Sequence, residues 1–170
     1  MAIIAKAGPT FIPAPEGAHA AVCVDVVDLG TLEVNYGGKS KKQHKIRIVW
    51  QIDENMEDGK PFLVQQRFTL SLHEKAGLRK VLESWRGRQF TEEELQGFDV
   101  ETVIDKPCLV NIIHQNKAGS IYANVTSVMR LPKGMAVLTP RDYIRVVDRK
   151  PEDQAPEQDF GNITDDDVPF

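Results

Sequence analysis

Short stretches rich in apolar and β-branched side chains recur along the chain between residues 20 and 130, and some of them alternate with polar positions. The clearest is HKIRIVWQI, which begins at His44. Strict alternation of this kind predicts a β-strand with one buried and one outward face. One face takes His44, Ile46, Ile48, Trp50 and Ile52, and the other takes Lys45, Arg47, Val49 and Gln51.

Four further segments have the composition of strands. The valine-rich AAVCVDVVDLGTL, residues 20–32, predicts the first strand, with Val22, Val24 and Val26 on one face. Glycines in the following NYGGKSKKQ predict a long loop. After HKIRIVWQI, the turn DENMEDGK predicts a hairpin with PFLVQQRFTLSL. PCLVNIIHQ and SIYANVTSVMRL, joined by NKAG, are the predicted fourth and fifth strands.

Between the third and fourth strands the apolar period changes from two to that of a helix. The residues at helical spacing are Leu78, Val81, Leu82 and Trp85. They predict an amphipathic helix that ends near Gly87, with Trp85 anchored in the core. Thr91 and Glu94 then resemble a capping box, which predicts a short second helix.

Three strands, a helix and two strands, joined largely by turns, is the element order of the OB fold. That fold is a five-stranded Greek-key barrel with a helix between strands 3 and 4. It binds oligonucleotides or oligosaccharides on one face of strands 2 and 3, between the loops 1–2 and 4–5. An open β-sandwich with an incidental helix fits the order less well. We expect residues 1–18 to form an N-terminal extension and residues 19–150 to form the OB domain with a C-terminal extension.

The two C-terminal segments differ in pattern. In residues 139–150, TPRD resembles a helix start whereas IRVV favours a strand, so both structures stay open. Residues 151–170 have too few apolar side chains to offset the entropy of ordering, and we expect a disordered acidic tail.

The net charge of −4 is unevenly distributed. Residues 1–150 carry all 21 Lys and Arg with 18 Asp and Glu, a net charge of +3, whereas residues 151–170 hold seven acids and no base. A basic body with an acidic tail is typical of nucleic-acid-binding proteins, because the tail resembles a tethered polyanion. A merely solubilising tail would have the same charge.

The chain has neither an apolar run of membrane-spanning length nor a secretory start, since Pro9, Pro13 and Pro15 interrupt the first residues. We therefore expect a cytoplasmic protein without a membrane partner. Cys23 and Cys108 are the only cysteines, and both lie in apolar strand segments, which predicts buried core thiols.

A run of basic residues marks the predicted loop 1–2 and the strand after it. Its members are Lys39, Lys41, Lys42, Lys45 and Arg47. A solvated loop would have this composition, but bases at this place in an OB fold can follow a phosphate backbone. We predict that they contact DNA. In loop 4–5, Lys117 is the corresponding candidate, with His114 and Asn116 nearby.

Single-stranded nucleic acid also stacks its bases on aromatic rings. The aromatic candidates are Tyr36, Trp50, Phe62, Phe68 and Tyr122. Trp50 shares its face with isoleucines, which predicts burial. Tyr36, beside two glycines in the basic loop, is the best stacking candidate and Tyr122 the second. Arg47 and Arg67 lie on the two strands of the predicted platform.

No arrangement of residues suggests catalysis. The acidic runs at residues 92–94 and 53–58 fit a helix start and a turn, without a paired nucleophile or base. The sequence has no Walker-type phosphate loop, nucleophile elbow or His/Cys metal cluster. We expect a protein that is not an enzyme and needs no metal or cofactor.

The last six residues are DDDVPF. This ending resembles the acidic tip, typically DDDIPF, of bacterial and phage single-stranded DNA-binding proteins, which consist of an OB fold, a disordered linker and that tip. The extended N-terminus and short linker are similar to the phage-encoded type. The resemblance implies a tip that docks on replication, recombination and repair proteins.

The resemblance also implies a role for each residue of the tip. Phe170 would place its ring in an apolar pocket and its carboxylate against a basic residue, and Pro169 would stiffen the approach. The acids Asp165, Asp166 and Asp167 would meet a basic rim. Val168 keeps the β-branched shape of isoleucine.

The sequence thus predicts a phage-type protein that coats single-stranded DNA without strong sequence preference and recruits partners by its tail. The alternative is a recombination-mediator or strand-annealing module, and a nuclease ranks third. Whether the chain works as a monomer or a homo-oligomer stays open.

Overall fold

The computed structural model describes Ile3 and residues 12–150. Five strands in this part of the chain form one antiparallel sheet, in the order β3-β2-β1-β4-β5. The strands are β1 Gly17–Tyr36, β2 Lys39–Asn55, β3 Pro61–Thr69, β4 Pro107–Lys117 and β5 Ser120–Met129. The helices are α1 Gly77–Arg86, α2 Glu92–Gln96 and the 3-10 helices Val100–Val103 and Val146–Asp148. The chain is mainly β, as predicted.

Several sequence predictions fall outside the described residues. One concerns most of the N-terminal extension, residues 1–11 apart from Ile3. The others concern the acidic tail, residues 151–170, and its DDDVPF tip. Among the helices of the described residues, none is long and apolar enough to cross a membrane.

The hairpin between β1 and β2 corrects the predicted long loop. β1 continues to Tyr36 and β2 begins at Lys39, so only Gly37 and Gly38 form the turn. Their φ angles are +52° and +84°. Two successive positive φ angles match the tight turn that suits the twist of a hairpin, and glycine adopts them without strain. The basic residues predicted for a loop therefore lie on a β-ribbon.

A β-bulge in β1 corrects the predicted face of its valines. The pairing with β2 shifts between Cys23 and Asp25. Val22 and Val24 lie in a small cluster, whereas Val26 belongs to the main core. The prediction that the three valines share one face is wrong, because the extra residue of the bulge reverses the alternation.

The main core lies between the inner face of the sheet and α1. The alternation of β2 is confirmed, since Ile46, Ile48, Trp50 and Ile52 all join this core. Leu78, Leu82 and Trp85 of α1 pack against them. The Trp50 and Trp85 ring centroids are 6.1 Å apart, and the Trp85 indole N–H donates to the carbonyl of Pro107 at 2.9 Å. Trp85 is the predicted anchor.

The other local predictions about the core and the helices are also confirmed. Cys23 and Cys108 are free, fully buried thiols. α1 ends at Arg86, and the next residue, Gly87, has a φ of +74°, the left-handed conformation of a helix C-cap. Thr91 and Glu94 form a reciprocal capping box at the start of α2, which satisfies two backbone N–H groups.

Residues 138–149, which we call the C-terminal strap, cross the outer face of β1 and β2. Leu138 and Tyr143 pack against the small valine cluster. The Gln51 side-chain amide donates to the Arg141 carbonyl at 2.6 Å and accepts from the Arg141 N–H at 3.0 Å. Apart from the 3-10 helix Val146–Asp148, the strap is irregular. The ambiguous pattern of residues 139–150 thus resolves mostly into an irregular segment.

The carboxylate of Asp25 in β1 binds the strap through hydrogen bonds. This carboxylate is fully buried, with one oxygen accepting from the Tyr143 hydroxyl at 2.8 Å and the Val146 N–H at 2.9 Å. The other oxygen accepts from Arg145 Nε at 3.1 Å. Arg145 also binds Glu101 at 3.0 Å. A buried acid requires a cation and hydrogen-bond donors of this kind.

Residues 12–16 approach the start of β1 and the end of β4. Ala14 is buried, and its carbonyl accepts a hydrogen bond of 2.7 Å from the His114 ring. The backbone N–H of His114 donates to the Glu16 carboxylate at 2.7 Å. His19 similarly bonds the Pro15 carbonyl at 2.9 Å. This part of the N-terminal extension therefore packs on the sheet.

Candidate nucleic-acid interface

The outward side of β2 and β3 brings together five of the predicted DNA-binding residues. The pairing of β2 with β1 includes every residue of β2 from Lys39 to Ile52, so the alternation of side chains along β2 is unbroken. On β3, Arg67 pairs with Arg47 and therefore shares its face. We call this set the basic face: Lys39, Lys41, Lys45, Arg47 and Arg67.

Lys42 lies on the opposite side of the ribbon and pairs with Glu33. The same side carries a hydrogen bond between Ser40 and Glu33, and one of 2.6 Å between His44 and Asp28. The bonds from His44 and from the Gly30 N–H lower the pKa of Asp28. The structure thus separates Lys42 from the basic face and places carboxylates beside it.

Exposure falls along the basic face from the ribbon to the body. Lys39 and Lys41 are exposed. Arg67 is half-buried, whereas Lys45 is 3% exposed and Arg47 is 7% exposed. Lys45 Nζ donates to Thr69 Oγ1 at 2.8 Å. The ribbon can meet a phosphate backbone directly, but Lys45 and Arg47 can do so only once they are uncovered.

The strap is part of what surrounds Arg47. Tyr143 lies close enough for the two side chains to interact electrostatically. Burial raises the pKa of Tyr143, and the bond to Asp25 raises it further, so the hydroxyl keeps its proton and remains a donor. The strap is therefore fixed beside the basic face by a neutral tyrosine.

Arg47 and Arg67 stand directly opposite each other on neighbouring antiparallel strands. Like charges at opposed positions of a sheet destabilise it, and side chains at such positions are near neighbours. Arg47 is 7% exposed, so a phosphate group could reach the pair only once Arg47 is uncovered. It would then accept charge-assisted hydrogen bonds from both guanidinium groups.

The aromatic candidates separate into core and surface. Trp50, Phe62 and Phe68 are all buried in the main core, so their rings are not available for stacking. The backbone of Tyr36 pairs with Lys39 at the end of the ribbon, and its side chain lies outside what the structure describes. Tyr122 is half-buried on β5, opposite Gln115.

The second hairpin leaves the sheet at the other end of β1. β4 pairs with residues 17–22 and extends past Gly17 to Lys117, where Ala118 and Gly119 form a two-residue turn. Lys117 is exposed. Along the hydrogen-bonded ladder, the two hairpins therefore extend from opposite ends of β1, and Lys117 and Tyr122 do not join the basic face.

The strap and its buried acid were missed by the sequence reasoning. One signal was present, because Asp25 lies between Val24 and Val26 in an apolar strand segment. A carboxylate in such a strand must find a cation or donors elsewhere in the chain. The ambiguous segment at residues 139–150 supplies both, as Arg145 and Tyr143.

Comparison with known proteins gives no further assignment: no family model matches the chain, and no curated protein sequence is significantly similar to it. A functional proposal therefore rests on the sheet, on the distribution of charge and on the sequence of the tip. The predicted docking residues, 165–170, lie outside the described residues.

Proposed function

We propose that the protein binds and protects single-stranded DNA, without strong sequence preference, during replication, recombination and repair. The observation that carries the proposal is the basic face. No carboxylate interrupts the outward positions of β2 between Lys39 and Gln51, or those of β3 between Leu63 and Thr69. Lys and Arg arranged along two strands suit a phosphate backbone, which supplies most of the sequence-independent affinity.

The sheet supports an OB-type barrel as the finer fold. The strand β4 returns to pair beside β1 after the β1-β2-β3 meander, which agrees with a Greek key. α1 falls between β3 and β4, where the OB fold has its helix. Residues of β3 and β5 approach within 8 Å between Cα atoms, although no ladder joins these strands in the described residues. In such a barrel, the basic face occupies the usual binding position on strands 2 and 3.

The tail supports a second activity, recruitment. The DDDVPF ending resembles a docking tip, and an acidic segment followed by Val168, Pro169 and Phe170 offers charge and an apolar anchor together. On this proposal the tip binds replication, recombination and repair proteins. The protein then acts in the cytoplasm, that of the host cell if it is phage-encoded.

The test is a titration of labelled oligonucleotides by fluorescence anisotropy. Single strands of several sequences and lengths should bind with similar affinity and more tightly than duplexes. If all five cations of the basic face contact phosphates, the logarithm of the association constant should fall with the logarithm of salt concentration at a slope of about −3.5. Affinity for duplex equal to that for single strands, or no dependence on salt, would contradict the proposal.

A parallel assay on complementary strands addresses the alternative activity. A protein that coats single strands lowers the melting temperature of a duplex, because it binds the separated strands. Faster annealing without duplex destabilisation would instead favour the strand-annealing module.

A further inference from the structure

A groove of about 660 Å³ lies between α1, the segment after α2 and residues 130–137. Its lining is largely apolar and includes Leu82, Trp85, Phe98 and Val103. Met135 and Val137 line another part of it and are 38% and 66% exposed. Ligand-binding pockets commonly have volumes of roughly 300–1,000 Å³, so this groove could hold several side chains of a bound peptide.

Basic residues surround the apolar lining and form what we call the basic rim of the groove. They are Arg86, Arg88, Lys106, Arg130 and Lys133, and the only acid in the lining is Glu94. Glu94 is already engaged, because it binds Arg86 at 2.6 Å and caps α2. The other four cations are exposed and form no salt bridge within residues 12–150.

Arg86 contacts both the aromatic rings beside the groove and the carboxylate of Glu94. Its guanidinium lies over the rings of Phe90 and Phe98, at 4.5 Å and 5.5 Å from their centroids. One terminal nitrogen binds Glu94, and the other, Nη1, is buried without a hydrogen-bond partner in the described residues. A buried guanidinium N–H of this kind favours an added acceptor, such as a carboxylate.

We infer that this groove binds the C-terminal tip of the same chain, residues 165–170. The tip places three adjacent carboxylates directly before Val168, Pro169 and Phe170. The carboxylates complement the basic rim, and the apolar side chains complement the lining. A purely acidic segment would leave the apolar lining exposed, and a purely apolar one would leave the rim without counter-charges.

The chain is long enough for this contact. Fifteen residues lead from Lys150 to Asp165, and an extended chain of that length spans up to about 50 Å. A folded body of this size has a radius of gyration of about 14 Å, so the extended tail can reach across much of its surface. A tether of this length also gives a millimolar effective concentration, so modest affinity suffices.

The groove suits the tip better than the basic face does. The apolar residues next to the basic face, Val22, Val24 and Val49, are covered by Leu138 and Tyr143 of the strap. That face therefore offers charge without an open apolar surface, whereas the groove offers both. A tip that ends in phenylalanine gains from burying its ring as well as from pairing its acids.

Docking in the groove would regulate the tip. A tip held there cannot bind another protein at the same time, so a partner must compete with the groove. This consequence rests on the proposed recruitment activity. The docking itself rests on the groove and the tip alone and does not require DNA binding, so the anisotropy titration and the experiment below can fail independently.

The experiment uses the full chain with a nitroxide spin label on a single added cysteine, Asn162→Cys, and measures paramagnetic broadening by NMR. Cys23 and Cys108 are fully buried, so the label goes to the added thiol. We expect loss of signal at the Trp85 indole and the Gly134 amide. After the nitroxide is reduced, both signals should return at their positions in the unlabelled protein, which reports the intact core.

Two variants and a matched control test whether the broadening arises from docking of the tip in the groove. Phe170→Ala and the double variant Arg130→Glu/Lys133→Glu should each restore the signals of the groove. Lys39→Glu/Lys41→Glu makes the same change of charge on the basic face and should leave the broadening intact. Broadening that is absent, that falls on β2 and β3, or that survives Arg130→Glu/Lys133→Glu would overturn the inference. In a mixture of labelled chains and unlabelled, isotope-enriched chains, broadening arises only from contacts between copies. If all of the broadening were of that kind, the tip would bind a second copy, which would overturn the contact within one chain.

Discussion

The hydroxyl of Tyr143 donates a hydrogen bond of 2.8 Å to the carboxylate of Asp25, a fully buried acid in β1. The two residues are 118 positions apart in the chain. Their contact fixes the C-terminal strap across the outer face of the sheet, next to Arg47 of the basic face. The strap is thus held by a polar contact at its centre as well as by apolar packing.

Breaking this contact should destabilise the fold in a graded way. Tyr143→Phe removes one donor and should lower the free energy of unfolding by about 1–2 kcal/mol. Arg145→Ala leaves a buried carboxylate without its cation and should lower it by about 3 kcal/mol or more. Ile144→Ala, between them and 62% exposed, is the control and should change it by less than about 0.5 kcal/mol. Urea unfolding measures all three, and an Arg145→Ala protein as stable as the control would contradict the structure of the strap.

The two buried thiols should make the fold sensitive to alkali. Burial raises the pKa of the Cys23 thiol to about 12 and that of Cys108 well above its usual range. In the unfolded chain, both thiols ionise near pH 8.5, so above that pH the folded state binds more protons than the unfolded state. The contribution is complete below about pH 8.5 and is lost as pH rises towards the folded pKa values, by about 1.4 kcal/mol per pH unit for each thiol.

The measurement is the free energy of unfolding from about pH 8 to about pH 10, in wild type and in Cys108→Ala. Removing one thiol should reduce the fall with pH, whatever it does to stability at neutral pH. An equal fall in both proteins would show that Cys108 does not hold its proton in the folded state.

Stacking and packing should separate at two aromatic residues. Tyr36→Ala should weaken oligonucleotide binding by about 1–3 kcal/mol with little change in melting temperature, because the residue ends the ribbon. Trp50→Ala should lower stability by about 3–5 kcal/mol, because its ring is fully buried. Anisotropy and thermal unfolding measure the two effects. A Trp50→Ala protein of unchanged stability that no longer binds DNA would mean that the faces of β2 are assigned the wrong way round.

Much of the fold could be predicted because local pattern decides it. The alternation around Trp50, the helix ending just before Gly87 and the Thr91–Glu94 capping box all depend on neighbours in sequence. The face of Val26 could not, since a bulge is a property of the pairing of two strands. Likewise, the two-residue turn at Gly37 depends on how far both strands stay paired.

The candidate site could be predicted only in part, for a related reason. Alternation places Lys39, Lys41, Lys45 and Arg47 on one face, and this could have been read from the sequence if the strand had been extended to Lys39. The burial of Lys45 and Arg47 could not, because it depends on tertiary packing. Arg145 donates a hydrogen bond to Asp25, which is 120 positions away in the chain, and no local pattern reveals such a contact.

The acidic tail should have two separable effects. If the protein binds DNA as proposed, deleting residues 151–170 removes seven acids that can compete with phosphates, so DNA binding should tighten, most visibly at low salt. Phe170→Ala keeps all seven acids and should leave DNA affinity nearly unchanged, while binding to a tail-docking replication or repair protein should be lost. Parallel titrations against an oligonucleotide and such a partner measure both effects. Partner binding that survives Phe170→Ala would show that the tip is only a solubilising segment.

The central claim is that single-stranded DNA follows the outward side of the ribbon, and two neighbouring lysines test it most directly. Lys41 belongs to the basic face, whereas Lys42 faces the side that carries Glu33 and Asp28. The measurement is the salt dependence of oligonucleotide affinity for Lys41→Gln and Lys42→Gln, which lose the same charge. We predict that Lys41→Gln reduces the slope by about 0.7, the effect of one lost phosphate contact on a single strand, whereas Lys42→Gln leaves it unchanged. Equal slopes for the two variants, or a larger loss in Lys42→Gln, would contradict the account.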